Sequence, residues 1–304
     1  MRIICNLPKE SVSLPYSYMD MEKFITAAGC ALRIRERGEG DSVIVLLHGY
    51  LASIEVWEGF IPLLSPPCRV VAIDLPGHGL SEVKGGVHTM EFLADVVRGV
   101  LERLKIGRCV LVGHSMGGYV ALEFLRKYPE MLSGLVLLHS TPNPDSEAKK
   151  EQRQGEINLI LAGKKEVLAR TTPEKGFCRS NRLRMKRAIE ELADQIMMTE
   201  DEGIVAVLRG MCERRDLNET MRQSAIPQLI ILGRGDEYIT PDIAEAMVVR
   251  QPQAQVVWLD HSGHTGFLEQ PAETAQAILT FAAPEVSKSA KGDFSMEKTI
   301  VCTL

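Results

Sequence analysis

A short apolar run that leads directly into Gly-His-Ser-Met-Gly constrains the fold of this chain more than any other feature. Residues 109–112 have the pattern of a buried strand, the motif occupies residues 113–117, and residues 119–125 have a helical pattern. Strand, sharp turn and helix in this order are typical of a nucleophile elbow, which presents a serine hydroxyl at the end of a sheet. The motif alone also occurs by chance in loops, so the flanking strand and helix carry the prediction. We therefore predict that Ser115 is a nucleophile.

The residues around Ser115 fit the same turn. Gly113 and Gly117 lie where the backbone of an elbow passes too close to its neighbours for a Cβ atom. The first N–H groups of a helix have no partner inside the helix and lie at its positive end. The backbone N–H of Met116, at the start of the predicted helix, is therefore expected to stabilise an oxyanion formed near Ser115.

Further apolar runs alternate with helical patterns along the chain. A half-exposed pattern over residues 30–36 indicates an edge strand. Continuous apolar runs are typical of strands buried by helices on both faces. They occupy residues 43–47, 68–73, 109–112, 134–138, 227–233 and 255–259. Alternation of this kind predicts an α/β fold with a mostly parallel central sheet flanked by helices, whose functional loops follow the carboxyl ends of the strands.

The alternation is interrupted once, which suggests how the chain is divided. Residues 141–225 are rich in charges of both signs, and their apolar residues have helical spacing, so we predict a helical insertion. The α/β core would then comprise residues 21–140 and 226–284. Residues 1–20 are predicted to form an N-terminal arm, and the polar, aperiodic residues 285–304 a flexible C-terminal tail.

A serine nucleophile needs a base within hydrogen-bond reach, and that base needs an orienting carboxylate. Asp236 follows the predicted strand after the insertion, and His264 lies on the loop after the last predicted strand. The order Ser115, Asp236, His264 is the one expected when a nucleophile elbow is present. These three residues are the predicted catalytic set.

Neighbouring residues compete for two of these roles. Glu237 and Asp260 are alternative carboxylates to Asp236, and the positional rule favours Asp236. His261 is the alternative to His264, but it lies only two residues beyond the last strand and is better explained as part of the loop scaffold.

Taken together, these motifs resemble the successive signatures of the α/β-hydrolase superfamily, in its single-domain esterase, C–C hydrolase and haloperoxidase-like branch. The matching segments are His48-Gly49-Tyr50, Asp74-Leu75-Pro76-Gly77-His78-Gly79-Leu80-Ser81, Gly113-His114-Ser115-Met116-Gly117-Gly118, Gly235-Asp236 and Gly263-His264-Thr265-Gly266-Phe267-Leu268-Glu269-Gln270-Pro271. The resemblance covers residues 23–282 except the insertion. It implies the α/β-hydrolase fold, an oxyanion hole formed by the backbone N–H groups of Tyr50 and Met116, and a helical cap over residues 141–225. It implies no metal and no organic cofactor.

Charge and composition exclude several partners. A formal net charge of −5 and an isoelectric point near 5.9 disfavour nucleic acid, because a phosphate-binding surface needs an excess of basic residues. We find no secretory signal and no apolar run of about 18 residues that would predict a membrane span, which favours a cytoplasmic location.

Seven scattered cysteines without a C-x-x-C pair suggest neither a disulfide framework nor a zinc site. The sequence does not determine the oligomeric state, and a homodimer is one of the alternatives.

One basic run stands out within the insertion. Residues 179–187 carry five positive charges, and Arg179, Arg182 and Arg184 are candidates to contact an anionic group on the substrate. The alternative is an exposed helix face, since Glu190, Glu191 and Asp194 follow closely and mixed charges are typical of such faces.

The sequence thus predicts a serine hydrolase that cleaves small or medium carboxylic acyl esters or thioesters through an acyl-enzyme. A C–C bond hydrolase or lyase acting on a carboxylated carbonyl compound is one alternative, because fold-level similarity does not determine substrate. A non-catalytic small-molecule binding protein on the same fold is another.

Overall fold

One mixed sheet of eight strands forms the centre of the molecule. The computed structural model describes residues 21–39, 42–65 and 68–283. The predicted N-terminal arm, residues 1–20, and tail, residues 285–304, lie outside the described residues. The strands are β1 (Met21–Ala27), β2 (Cys30–Arg37), β3 (Val43–Leu47), β4 (Arg69–Ile73), β5 (Cys109–His114), β6 (Leu132–Leu138), β7 (Gln228–Gly233) and β8 (Gln255–Leu259).

The strand order is β1-β2-β4-β3-β5-β6-β7-β8. The pairs β1·β2 and β2·β4 are antiparallel, and every other pair is parallel. This arrangement confirms the predicted mostly parallel α/β fold. One prediction was wrong: β2 is not the edge strand. Strand β1, which was not predicted, pairs with residues 30–36 of β2 and forms the edge.

Helices cover both faces of the sheet. They are α1 (Ile61–Leu64), α2 (Met90–Arg103), α3 (Met116–Lys127), α4 (Glu147–Leu161), α5 (Lys165–Gly176), α6 (Lys186–Met198), α7 (Asp201–Cys212), α8 (Asn218–Gln223), α9 (Pro241–Arg250), α10 (Gly266–Glu269) and α11 (Pro271–Ala282). Successive strand residues point to opposite faces of a sheet. In β3, Val45 and Leu47 therefore pack in one core cluster with α2 and α3, whereas Ile44 and Leu46 pack in a second cluster with α1 and α11. Burial on both faces explains why the inner strands are continuously apolar.

Five helices, α4 to α8, lie between β6 and β7. They fall within the segment predicted as a helical insertion. Close backbone contact joins α7 to the loop after β4. The Cα of Gly203, in α7, lies so near Gly77 that a side chain at either position would collide with the other residue. No helix in the described ranges is both long enough and apolar enough to cross a bilayer.

Candidate active site

Ser115 lies at the sharp turn between β5 and α3. Its backbone has φ 51° and ψ −114°, a strained left-handed conformation for a residue with a side chain. Its N–H donates to the carbonyl of Leu138 in the neighbouring strand, at 3.0 Å. A Cβ atom at Gly113 would collide with the backbone of Gly117, and one at Gly117 with the carbonyl of Leu47. The two glycines are therefore required by the turn that holds Ser115.

Asp236 and His264 meet at the same edge of the sheet. His264 Nδ1 donates to Asp236 Oδ2 at 2.7 Å, and Asp236 is almost completely buried. The other carboxylate oxygen, Oδ1, accepts the backbone N–H groups of Tyr238, at 2.7 Å, and Ile239, at 2.9 Å. Burial acts to raise the pKa of Asp236, but His264 and the nearby His139 outweigh it and hold that pKa well below its usual range. Asp236 is therefore a buried carboxylate that accepts a hydrogen bond from the His264 imidazole.

A second buried imidazole faces the same carboxylate, and the sequence did not predict its position. His139 follows β6 with φ 48°, and its Nε2 accepts the N–H of Gly266 at 3.1 Å. The ring is fully buried, which lowers its pKa and keeps it neutral, so its proton lies on Nδ1. His139 Nδ1 is 3.5 Å from Asp236 Oδ2. The carboxylate thus lies between two imidazoles.

The competing carboxylates make other contacts. Glu237 accepts from Arg179 and Arg182, each at 2.8 Å. Asp260 lies 3.5 Å from Arg234. Since neither touches His264, Asp236 alone of the three candidate carboxylates contacts the imidazole.

The three predicted anion-binding arginines are engaged with the protein. Arg179 and Arg182 share the Glu237 carboxylate, and Arg184 Nη2 donates to Asn181 Oδ1 at 3.2 Å. None of them lines the cavity that contains Ser115.

That cavity has a volume of about 280 Å³. Ser115 and His264 both line it, together with Tyr50 and Met116, whose backbone N–H groups are the predicted oxyanion donors. No hydrogen bond joins Ser115 Oγ to the imidazole among the described residues; such contacts commonly tighten only when substrate binds. The cavity thus contains all the groups predicted for acyl transfer, with Asp236 directly behind His264.

The two predicted oxyanion donors come from adjacent loops. Met116 is the first residue of α3, so its N–H has no partner inside the helix. Tyr50 follows β3, and Gly49 before it packs so closely that an added Cβ atom would lie 2.7 Å from His114 Nδ1 and 3.3 Å from Ser115 Cβ. This close approach brings the Tyr50 loop to the elbow.

The helices α4 to α7 contribute the part of the cavity wall that does not come from the sheet's loops. Its charged residues are Lys149, Arg153 and Glu156 from α4 and Lys175 from α5. Sequence reasoning missed all four, because a helix in an insertion gives no local sign of which face meets the core.

Glu269, in α10, ties this wall to the His264 loop. Its Oε1 accepts the backbone N–H of Cys178, at 2.8 Å, and the Asn181 side chain, at 2.7 Å. Its Oε2 accepts the N–H of Gly263, at 2.7 Å, and the Thr265 hydroxyl, at 3.1 Å. One buried carboxylate therefore holds the segment after α5 against both neighbours of His264 in the sequence.

The histidine that follows β3 has a structural role. His48 is fully buried, its Nε2 accepts the N–H of Leu75 at 3.0 Å, and its Nδ1 donates to the carbonyl of Gly49 at 2.8 Å. Burial lowers the pKa of His48 to about 4 and that of His78 to about 3. Both rings are neutral parts of the core.

Comparison with known proteins identifies the family. The sequence model of the Alpha/beta hydrolase family matches residues 44–277, most of the chain. The chain belongs to the alpha/beta hydrolase family. This assignment confirms the resemblance drawn from the motifs.

Among similar proteins of this family is the pimeloyl-[acyl-carrier protein] methyl ester esterase of Yersinia pseudotuberculosis, 28% identical over 252 residues that cover 81% of this chain and 95% of the relative. The enzyme of the same name from Aeromonas hydrophila is 26% identical over 264 residues, covering 83% and 99%. A thermophilic esterase from Thermogutta terrifontis, solved with malate bound, is 32% identical with a TM-score of 0.80, covering 86% of this chain and 97% of its own. These similarities support ester hydrolysis as the activity of this hydrolase.

Proposed function

We propose that this hydrolase cleaves small or medium carboxylic esters or thioesters through an acyl-enzyme on Ser115. The observation that carries the proposal is the His264–Asp236 hydrogen bond beside a cavity that Ser115 enters from a strained elbow. A serine hydroxyl is a poor nucleophile by itself, and an oriented imidazole is the group that activates it. We also propose residues 141–225 as the cap and residues 21–140 with 226–284 as the core.

Acylation starts with proton transfer from Ser115 Oγ to His264 Nε2 as the hydroxyl oxygen attacks the ester carbonyl. The carbonyl oxygen becomes an oxyanion, which accepts from the N–H groups of Tyr50 and Met116. Collapse of this intermediate expels the alcohol or thiol, which takes the proton from His264. Asp236 stabilises the imidazolium while it carries that proton.

Deacylation repeats these steps with water as the nucleophile. His264 removes a proton from water, which attacks the acyl carbonyl, and the carboxylic acid leaves as the proton returns to Ser115. The burial and two backbone hydrogen bonds of Asp236 hold the imidazole in one orientation through both halves of the reaction.

The cavity volume and the similar proteins together suggest which esters to test. A cavity of about 280 Å³ suits a short acyl group together with a small leaving group. The names of the curated relatives point to a methyl ester as the bond that is cleaved. Simple methyl and p-nitrophenyl esters are therefore suitable first substrates.

The test is hydrolysis of p-nitrophenyl esters from acetate to octanoate, with Ser115→Ala measured in parallel. We expect turnover of the shorter esters and its loss in the variant by a factor of about 10³ or more. A fluorophosphonate probe should label the wild type and not Ser115→Ala. Turnover that survives in Ser115→Ala would overturn the proposal.

The same assays separate the two alternatives. A C–C hydrolase would leave simple esters intact and still react with the fluorophosphonate. Its proposed anion site loses support because Arg179 and Arg182 are paired with Glu237. A binding protein without activity would show neither turnover nor labelling.

A further inference from the structure

Two ammonium groups line the catalytic cavity without a carboxylate partner. Lys149 Nζ donates to Gln152 Oε1 at 3.1 Å, and Lys175 contacts the face of Tyr238. Within the described ranges, neither lysine forms an ion pair. By contrast, the adjacent Lys150 points away from the cavity and pairs with Glu147 at 2.8 Å. Lys149 is half-buried and Lys175 is exposed, so both ammonium groups can be reached by a ligand that enters the cavity.

The other charges of the cavity do not neutralise these lysines. Arg153 is paired with Asp145, which also accepts from Arg214. Glu156 is the one carboxylate among the cavity-lining residues, and its Oε1 accepts from Gln152 at 2.9 Å. Its remaining oxygen, Oε2, is buried. Four cations, counting Arg214, thus lie with two carboxylates, so this group of side chains has a net charge of +2, and neither carboxylate forms an ion pair with Lys149 or Lys175.

Both ammonium groups lie close to the catalytic imidazole. Lys175 Nζ is 4.6 Å and Lys149 Nζ is 5.8 Å from the centre of the Tyr238 ring. That ring packs against His264, with 4.8 Å between ring centres. A single aromatic ring therefore separates the imidazole from both cations, and burial together with the nearby Arg153 lowers the pKa of Lys149. An anion placed between the two lysines would relieve their mutual repulsion.

We propose that Lys149 and Lys175 bind the free carboxylate of a monoester of a short dicarboxylic acid, whose ester group reaches Ser115. The inference rests on the proposed ester hydrolysis and specifies its substrate class. A carboxylate can accept from both ammonium groups at once, one on each oxygen. The apolar side chains of Leu168 and Ile239, which also line the cavity, would contact the methylene groups between the two ends.

The test compares monomethyl and dimethyl esters of succinic, glutaric and adipic acid. Each pair differs by one methyl group and one negative charge, so the ratio of their kcat/KM values isolates the anion. We expect wild type to favour the monomethyl ester by about tenfold or more at the best chain length, since hydrogen bonds to charged groups typically give at least this discrimination. The preference should decrease as salt is added. A wild-type ratio near one at every chain length would overturn the proposal.

Variants assign the preference to the two lysines. Lys149→Met with Lys175→Met keeps side chains of similar length without the charges, and we expect the ratio to fall to one or below. Lys150→Met is the matched control and should keep the wild-type ratio. If the double variant folds poorly, the single Lys149→Met and Lys175→Met variants should each lower the ratio. A preference that survives in all of them would place the anion elsewhere and overturn the assignment.

Binding to Ser115→Ala separates this proposal from the proposed function. Calorimetric titration with the monomethyl and dimethyl esters requires no turnover, and we expect the monomethyl ester to bind more tightly by a similar factor. Equal binding of the two esters would overturn the carboxylate site even if hydrolysis is confirmed. Tighter binding of the monomethyl ester without hydrolysis by wild type would support the site and overturn the serine esterase.

Discussion

The hydrogen bonds around Asp236 lead to a specific prediction for Asp236→Asn. Oδ1 accepts two backbone N–H groups, from Tyr238 and Ile239, so an asparagine at this position must keep its carbonyl oxygen there. Its amide NH₂ then replaces Oδ2 and faces His264 Nδ1, which is 2.7 Å away in the wild type. Because the NH₂ group can only donate, the imidazole must carry its proton on Nε2. In that tautomer Nε2 cannot accept the proton of Ser115.

The size of the effect follows from what the tautomer change removes. The base is lost while the cavity and the oxyanion donors stay in place, which corresponds to a decrease in kcat of about 10³- to 10⁴-fold. In free energy this is a rise of about 4 to 5 kcal/mol in the barrier. We expect KM to change little, because Asp236 does not line the cavity.

Steady-state hydrolysis of a p-nitrophenyl ester at neutral pH is the assay, and Glu237→Gln is the matched control. The control makes the same change from carboxylate to amide one residue away, on a side chain that contacts Arg179 and Arg182. We expect it to keep kcat within about threefold, as is usual for exposed ion pairs. Asp236→Asn with more than a tenth of wild-type kcat, or Glu237→Gln with a large loss, would refute the assignment of the orienting carboxylate.

Two further predictions concern the elbow and acid stability. Gly117→Ala should abolish ester turnover and lower the melting temperature, because the added Cβ would collide with the Leu47 carbonyl. The control Gly155→Ala lies in an open part of α4, so it should keep activity and raise the free energy of unfolding by up to about 1 kcal/mol. The free energy of unfolding in urea should fall as the pH drops from about 6.5 towards 4, since His48 has a folded-state pKa of about 4 and the unfolded chain therefore binds the proton first. His48 alone contributes about 3 kcal/mol over that window, so constant stability across it would contradict the assigned neutral state.

The sheet and the candidate site at its edge could be predicted from the sequence because their signals are local. Each inner strand contains a continuous apolar run, and each predicted catalytic residue lies in the turn or loop that follows such a run. Strand β1 gave no such signal. Most of Met21–Ala27 is exposed or half-buried, and pairing with β2 is what holds it in the sheet. An edge strand of this kind is defined by its partner more than by its own residues.

The residues missed at the site depend on contacts between distant parts of the chain. His139 looks like any polar residue after a strand until the β7 loop brings Asp236 to within 3.5 Å of it. Lys149 and Lys175 lie on helices whose placement over the cavity rests on contacts such as that of Asn181 with Glu269. The basic run at residues 179–187 was the more visible signal, yet its first arginines pair with Glu237. Charge density in a sequence does not reveal which charges find partners in the fold.

The proposed catalytic residues and the proposed anion-binding lysines lie on different kinds of structural element. Ser115, Asp236 and His264 follow strands whose register in the sheet fixes their relative positions. The two lysines lie on α4 and α5, so substitutions there should alter which esters are accepted while leaving the His264–Asp236 hydrogen bond intact. Glu269 is the exception, because it bonds both the segment after α5 and the backbone next to His264. A change at Glu269 should therefore affect turnover and substrate preference together.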